Sequence, residues 1–101
     1  MSIDTIVEKK TRTINSSKEP GKFKVIVCND DVTPMEFVIA MLVAIFRHSE
    51  KSAYDLTMSI HTTGSAVAGT YTFEIAEQKG IDATNLARAH GWPLIIKIEQ
   101  E

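Results

Sequence analysis

The sequence predicts an α+β fold, a small three-stranded sheet covered by three helices in the order β-α-α-β-α-β. Three observations predict it. Short runs rich in β-branched and aromatic residues at 22–28 and 94–98, and a run of small residues at 65–71, read as strands. The intervening segments carry apolar residues at helical spacing, two before the second strand and one after it. A chain of 101 residues is enough for one compact domain. With so few strands, a sheet covered on one face by helices is the economical way to bury apolar surface.

Residues 1–21 are polar, mixed in charge and end in Glu19-Pro20-Gly21. They hold too few apolar groups to offset the entropy of ordering, so we expect a flexible N-terminal extension ahead of a single domain over 22–101. Ile3, Ile6 and Val7 form its one brief apolar pattern, suited to folding against a partner. Lys22 to Cys28 is the first strand and ends at an acidic cluster. Thr33-Pro34-Met35-Glu36 predicts a helix start. Thr33 would be the N-cap, Pro34 would sit where no amide donor is needed, and Glu36 would reach back to the cap amide. Phe37, Val38, Met41, Leu42, Ile45 and Phe46 then give that helix a wide apolar face.

Ser49 reads as the N-cap of a second helix, in which Ala53, Leu56 and Ile60 recur at helical spacing. His61 ends the apolar stripe and Gly64 stops the helix. The small residues of 65–71 form a second strand. Thr72 caps a third helix that runs toward His90, with a kink or break expected at Gly80, where glycine costs about 1 kcal/mol relative to alanine. Gly91-Trp92-Pro93 closes it, and Leu94 to Ile98 is the last strand.

Composition narrows the function. Hydrophobic residues make up 44% and charged residues 24%, with a formal charge of −2, so neither nucleic acid nor an anionic membrane is an expected partner. The single cysteine, Cys28, excludes an internal disulfide and a multi-cysteine zinc site, and reads as a small buried hydrophobe. No signal-peptide core or membrane-spanning run is present, so we expect a soluble, cytoplasmic protein, monomeric by default.

The polar residues that stand out are Asn29, Asp30 and Asp31. A turn with an acidic helix start accounts for them, since Asn and Asp bond nearby backbone groups. Yet if Thr33 and Glu36 satisfy the helix start, three more acceptor-rich side chains exceed the local need. His61 has an equally plain reading, a helix-end imidazole favoured by the C-terminal dipole. Beside an Asn carbonyl and an Asp carboxylate, however, a neutral imidazole completes an acceptor set suited to a compact cation with several N–H donors. A primary ammonium is the obvious candidate. The spacing is weak evidence for a metal, and no cofactor is expected. Catalysis is poorly supported. There is no phosphate loop, nucleophile elbow or HExxH, and adjacent carboxylates at 30 and 31 should diverge. Asp30 and His61 have no activated Ser or Cys to serve, so the chain is not expected to be an enzyme. His48 and His90 read as surface residues at helix ends.

NDD-x-TPMEFV from Asn29 to Val38, His61, TFEIAEQK from Thr72 to Lys79 and HGWPL from His90 to Leu94 closely resemble ClpS, the bacterial adaptor that delivers N-end-rule substrates to the Clp protease. The likeness covers about residues 22 to 101 without a large insertion. It implies that Asn29, Asp30 and His61 bind a substrate's free α-amino group, with the Asp able to act through water, and that Thr33 bonds the peptide backbone. It implies a hydrophobic pocket for a bulky first residue (Leu, Phe, Tyr or Trp) at Met35, Val38, Ile60 and Leu94, with Met41 beside them. Met35 matches a gatekeeper against β-branched first residues. From pattern alone, each of these apolar residues reads equally well as ordinary core. Glu74 and Lys79 match contacts to the N-terminal domain of a Clp AAA+ ATPase of ClpA or ClpC type, and the extension matches one needed for substrate hand-over.

Three positions depart from the family pattern. Thr57 stands where many members have a pocket methionine, Val32 replaces a common aromatic, and Gly80 interrupts a helix usually free of glycine. The competing readings are a module like the C-terminal domain of the ribosomal stalk protein, a Clp-docking protein that captures no substrate, and a small acid–base hydrolase.

Overall fold

A computed structural model of the chain describes residues 21–101. The extension expected over 1–21 lies, apart from Gly21, outside the described residues. The elements follow in the predicted order: β1 (Lys22–Cys28), α1 (Met35–Phe46), α2 (Glu50–Thr63), β2 (Ser65–Thr72), α3 (Phe73–Ala89) and β3 (Ile95–Gln100). The described strands form one antiparallel sheet in the order β2-β1-β3, and β1 is hydrogen-bonded on both sides. The last strand begins at Ile95 and not at Leu94, which is buried at the point where the loop enters the sheet. Among the described residues no helix is long and apolar enough to cross a membrane.

Period-two alternation turns Val25 and Val27 of β1 inward, where neither is exposed. Val38, Met41, Leu42 and Phe46 of α1, Ala53 and Ile60 of α2, Ala68 of β2 and Leu94 complete most of one core cluster. The third helix contributes only small residues to it. Ala76, Gly80, Ala83 and Ala87 are its buried positions, and this spacing makes one narrow stripe that lets α3 approach the sheet closely.

Gly80 does not break the helix, which runs without interruption from Phe73 to Ala89. A Cβ at Gly80 would stand 3.3 Å from Ile98 Cδ1 and 3.8 Å from Ile96 Cγ2. The missing side chain therefore admits β3, and the packing gained offsets the weak helix propensity of glycine.

The start of α1 also differs from expectation. Pro34 is the N-cap, with φ −66° and ψ 145°, and no side chain caps the helix. The Thr33 hydroxyl is engaged elsewhere, donating to Asp30 Oδ2 at 2.7 Å. A residue before proline is held away from helical backbone angles, and here Asp30 captures it. Asp30 thus supplies the local order that the sequence reading assigned to a Thr33–Glu36 capping box. Thr72 occupies the N-cap of α3 by backbone geometry, again without a side-chain bond. Ser49 caps α2 as predicted, accepting from the Ser52 amide at 3.1 Å, and Gly64 ends that helix at φ 103°.

His48 is not a free surface residue. The pairing of β1 with β2 shifts register between Val25↔Gly69 and Ile26↔Val67, which leaves Ala68 as an extra residue on β2. His48 Nε2 donates to the Ala68 carbonyl at 2.6 Å, so the α1–α2 corner satisfies the group at the bulge. His90 is exposed as expected, its ring 5.4 Å from that of Phe37. Cys28 is half-buried, less enclosed than predicted, because it ends β1 where the chain turns toward solvent.

Candidate functional site

The sheet register places three strand-end residues at one end of the sheet. Cys28 pairs with Ser65 on one side and with Ile95 on the other. The neighbouring residues Asn29, Gly64 and Leu94 therefore share the same end of the sheet. The Asn29 amide donates to the Gly64 carbonyl at 2.9 Å, and the Gly64 amide donates to Ile60 at the same distance. These bonds tie the exit of β1 to the last turn of α2, where His61 follows Ile60. Asn29 and His61 are exposed at this end, and Asp30 and Thr33 are partly buried.

Asp30 organises the loop. Its Oδ1 accepts from the amides of Val32 at 2.8 Å and Thr33 at 2.7 Å, while Oδ2 accepts from the Thr33 hydroxyl. Partial burial pushes its carboxyl up. The hydrogen bonds from Thr33 and Val32 and the positive charge of Arg88 together outweigh that, and hold it below the ordinary value of 3.8. A depressed carboxylate stabilises the fold above its unfolded pKa, and that contribution disappears as pH falls through the folded value. Acid titration of the Asp30→Asn variant should thus show a shallower loss of stability below about pH 4 than the unmodified chain. Unfolding midpoints measured from pH 6 down to pH 2 check this, and parallel curves would contradict it.

Arg88 was not singled out from sequence. Its Nη1 donates to the carbonyls of Trp92 at 2.8 Å and Leu94 at 2.9 Å, pinning the loop that delivers Leu94 to the core. The available signal was a basic residue in the last turn of a helix just ahead of Gly91-Trp92-Pro93. What the sequence could not show was that this cation also lies within reach of Asp30.

Four of the six apolar-pocket candidates lie together, and they are closed. Val38, Met41, Ile60 and Leu94 belong to one buried cluster, each at most 5% exposed. Thr57 is 2% exposed, and its hydroxyl has no hydrogen-bond partner. Met35, the first residue of α1, is half-buried and lies outside the core cluster. A surface cavity of about 310 Å³ lies between α3 and β3, lined by Glu77, Gly80, Ile81, Thr84, Ile96 and Ile98 among others, and shares none of the candidate residues.

Glu74 and Lys79 are both on α3 but do not share a face, being roughly 140° apart about its axis. Glu74 is exposed in the first turn. Lys79 is half-buried, its Nζ donating to the Ile45 carbonyl at 2.8 Å near the end of α1 and standing 5.7 Å from the Tyr71 ring centroid. Its ammonium thus serves a helix C-terminus. Among the described residues no group of His, Cys, Asp and Glu is arranged to hold a metal ion.

Comparison with known proteins is consistent with these features. The family model described as ATP-dependent Clp protease adaptor protein ClpS matches residues 18–97. The ATP-dependent Clp protease adapter protein ClpS 1 of Bradyrhizobium diazoefficiens is 41% identical over 98 residues, covering 97% of each chain. The ClpS of Escherichia fergusonii is 38% identical over 100 residues, 99% of this chain and 92% of its own. The structure of Agrobacterium tumefaciens ClpS2 bound to L-phenylalaninamide superposes with a TM-score of 0.80 at 42% identity, covering 82% of this chain and all of that one.

Proposed function

Because the chain belongs to the ClpS family of adaptors for the ATP-dependent Clp protease, we propose that it captures proteins beginning with Leu, Phe, Tyr or Trp and delivers them to a Clp AAA+ unfoldase. The observation that carries this reading is the meeting of Asn29, Asp30 and the His61 turn at one end of the sheet, beside Leu94 and the apolar cluster. The ligand held by the Agrobacterium relative is L-phenylalaninamide, which joins a free α-amino group to a phenyl side chain.

In this reading the ammonium donates to the Asn29 carbonyl oxygen and the His61 imidazole. Asp30 already accepts three bonds from its own loop, so it contributes charge and its remaining lone pairs, directly or through water. The Thr33 hydroxyl hydrogen is committed to Asp30, which leaves its oxygen as an acceptor for a peptide N–H. Val38, Met41, Thr57, Ile60 and Leu94 line the receiving wall, and Met35 at the rim screens out β-branched first residues. Their close packing means that the incoming side chain must part them, as only a large apolar group has the burial energy to do, roughly 1.5–3 kcal/mol for Leu or Phe.

The adaptor domain spans 22–101, acts as a non-catalytic cytoplasmic monomer, and meets the N-terminal domain of a ClpA- or ClpC-type ATPase through Glu74 and the Lys79 region of α3. Residues 1–21 serve hand-over. Fluorescence anisotropy with labelled peptides that differ only in the first residue tests the capture. Binding should be confined to Leu, Phe, Tyr and Trp and absent for Gly, Ser and Ile, and a panel in which nothing binds would leave a Clp-docking module without capture.

A further inference from the structure

Thr57 is the one polar side chain among the described residues whose buried atom lacks a hydrogen-bond partner. Threonines in helices usually return the hydroxyl to a carbonyl one turn back. Thr62 and Thr63 of this same helix do so, to Met58 at 2.9 Å and Ser59 at 2.8 Å. Thr57 does not, although it is 2% exposed and sits between the core residues Ala53 and Ile60 on the inward face of α2. A buried hydroxyl left unpaired costs folding stability, whereas a methyl in its place would not. The hydroxyl is therefore open to a partner that the free chain does not supply.

The position of Thr57 suggests that partner. It lies four residues before His61, so the two share a helix face about 6 Å apart along the axis. A tyrosine carries its hydroxyl about that far from its own α-carbon. We propose that Thr57 is a specificity residue whose hydroxyl pairs with the phenol O–H of an N-terminal tyrosine while the His61 end of α2 holds the α-amine. This rests on the capture proposed above and adds to it a preference for tyrosine over phenylalanine. Phenylalanine enters the same wall but leaves the Thr57 oxygen unpaired.

The test is anisotropy on the full chain with Tyr-first and Phe-first peptides of otherwise identical sequence. Unmodified protein, Thr57→Val and Thr57→Ser are compared, and the N-acetylated peptides serve as controls. The hydrogen bond should favour Tyr over Phe by roughly two- to tenfold. Thr57→Val, which keeps the shape, should abolish that ratio, and Thr57→Ser, which keeps the hydroxyl, should retain it. Binding of both peptides with a ratio that Thr57→Val leaves unchanged overturns the assignment of Thr57 alone. Failure of either free-amine peptide to bind the unmodified chain overturns the capture reading and this assignment with it.

Discussion

N-acetylation of a Phe-first peptide is expected to weaken its binding to this chain by about a hundredfold or more. The modification leaves the phenyl ring intact and removes the ammonium charge and two of its donors. Hydrogen bonds to charged groups contribute roughly 1.5–3 kcal/mol each, and the loss of two of them corresponds to at least two powers of ten in affinity. Asp30 sharpens the effect, because its carboxylate is held ionised by Thr33, Val32 and Arg88 and would face a neutral amide. A smaller loss should appear on deprotonating the amine, which removes the charge and one donor and whose ordinary pKa is about 7.7–8.0. Competition anisotropy with paired free and acetylated peptides measures it directly. A difference below about threefold would mean that the apolar wall alone does the binding, and would remove Asn29, Asp30 and His61 from the site.

Met41→Ala is expected to destabilise the fold by about 2–5 kcal/mol. Met41 has no exposed surface and sits among Val38, Leu42, Ile60 and Leu94 in the core cluster. Truncation removes transfer energy and leaves a cavity that the surrounding helices and sheet cannot fully close. For a domain of this size the thermal midpoint should fall by roughly 10 °C or more, as far-UV circular dichroism of the full chain will show. A fall of less than about 3 °C would mean that Met41 is loosely held, and that the wall has room without the methionine.

These two variants probe different halves of one arrangement, and they differ in how far each was legible. Local chemistry was readable. β1, the Ser49 cap and the Gly64 stop depend on residues within a few positions of each other, and the structure has them where the sequence places them. Errors arose where a nonlocal or competing contact decided the outcome. The Thr-x-x-Glu pattern is local and points Thr33 to the helix start, but Asp30 holds its hydroxyl instead. Gly80 reads as a break in isolation and becomes an opening for Ile98 once β3 packs against α3. His48 acts on a carbonyl whose position depends on a β-bulge twenty residues away, and the reach of Arg88 to Asp30 depends on how the third helix packs against the exit of β1. The candidate site shows the same division. Asn29, Asp30 and His61 stand out individually by type, but only the Cys28↔Ser65 and Cys28↔Ile95 register places them together. The apolar residues look alike as wall or core because the positions proposed for the wall are core positions in the fold.

The order of the sheet has one more consequence. Among the described residues, with β1 at the centre, β2 and β3 are both edge strands, each with a row of backbone groups able to template another chain. The two edges are blunted in different ways. On β3, Lys97 and Glu99 place opposite charges at exposed positions, and a second strand laid against them in register would bury ionised groups. On β2, the extra residue at Ala68 interrupts the regular spacing that fibril growth requires. Within the described residues, each edge thus carries its own local feature that disfavours a second strand, a charged pair on β3 and a bulge on β2.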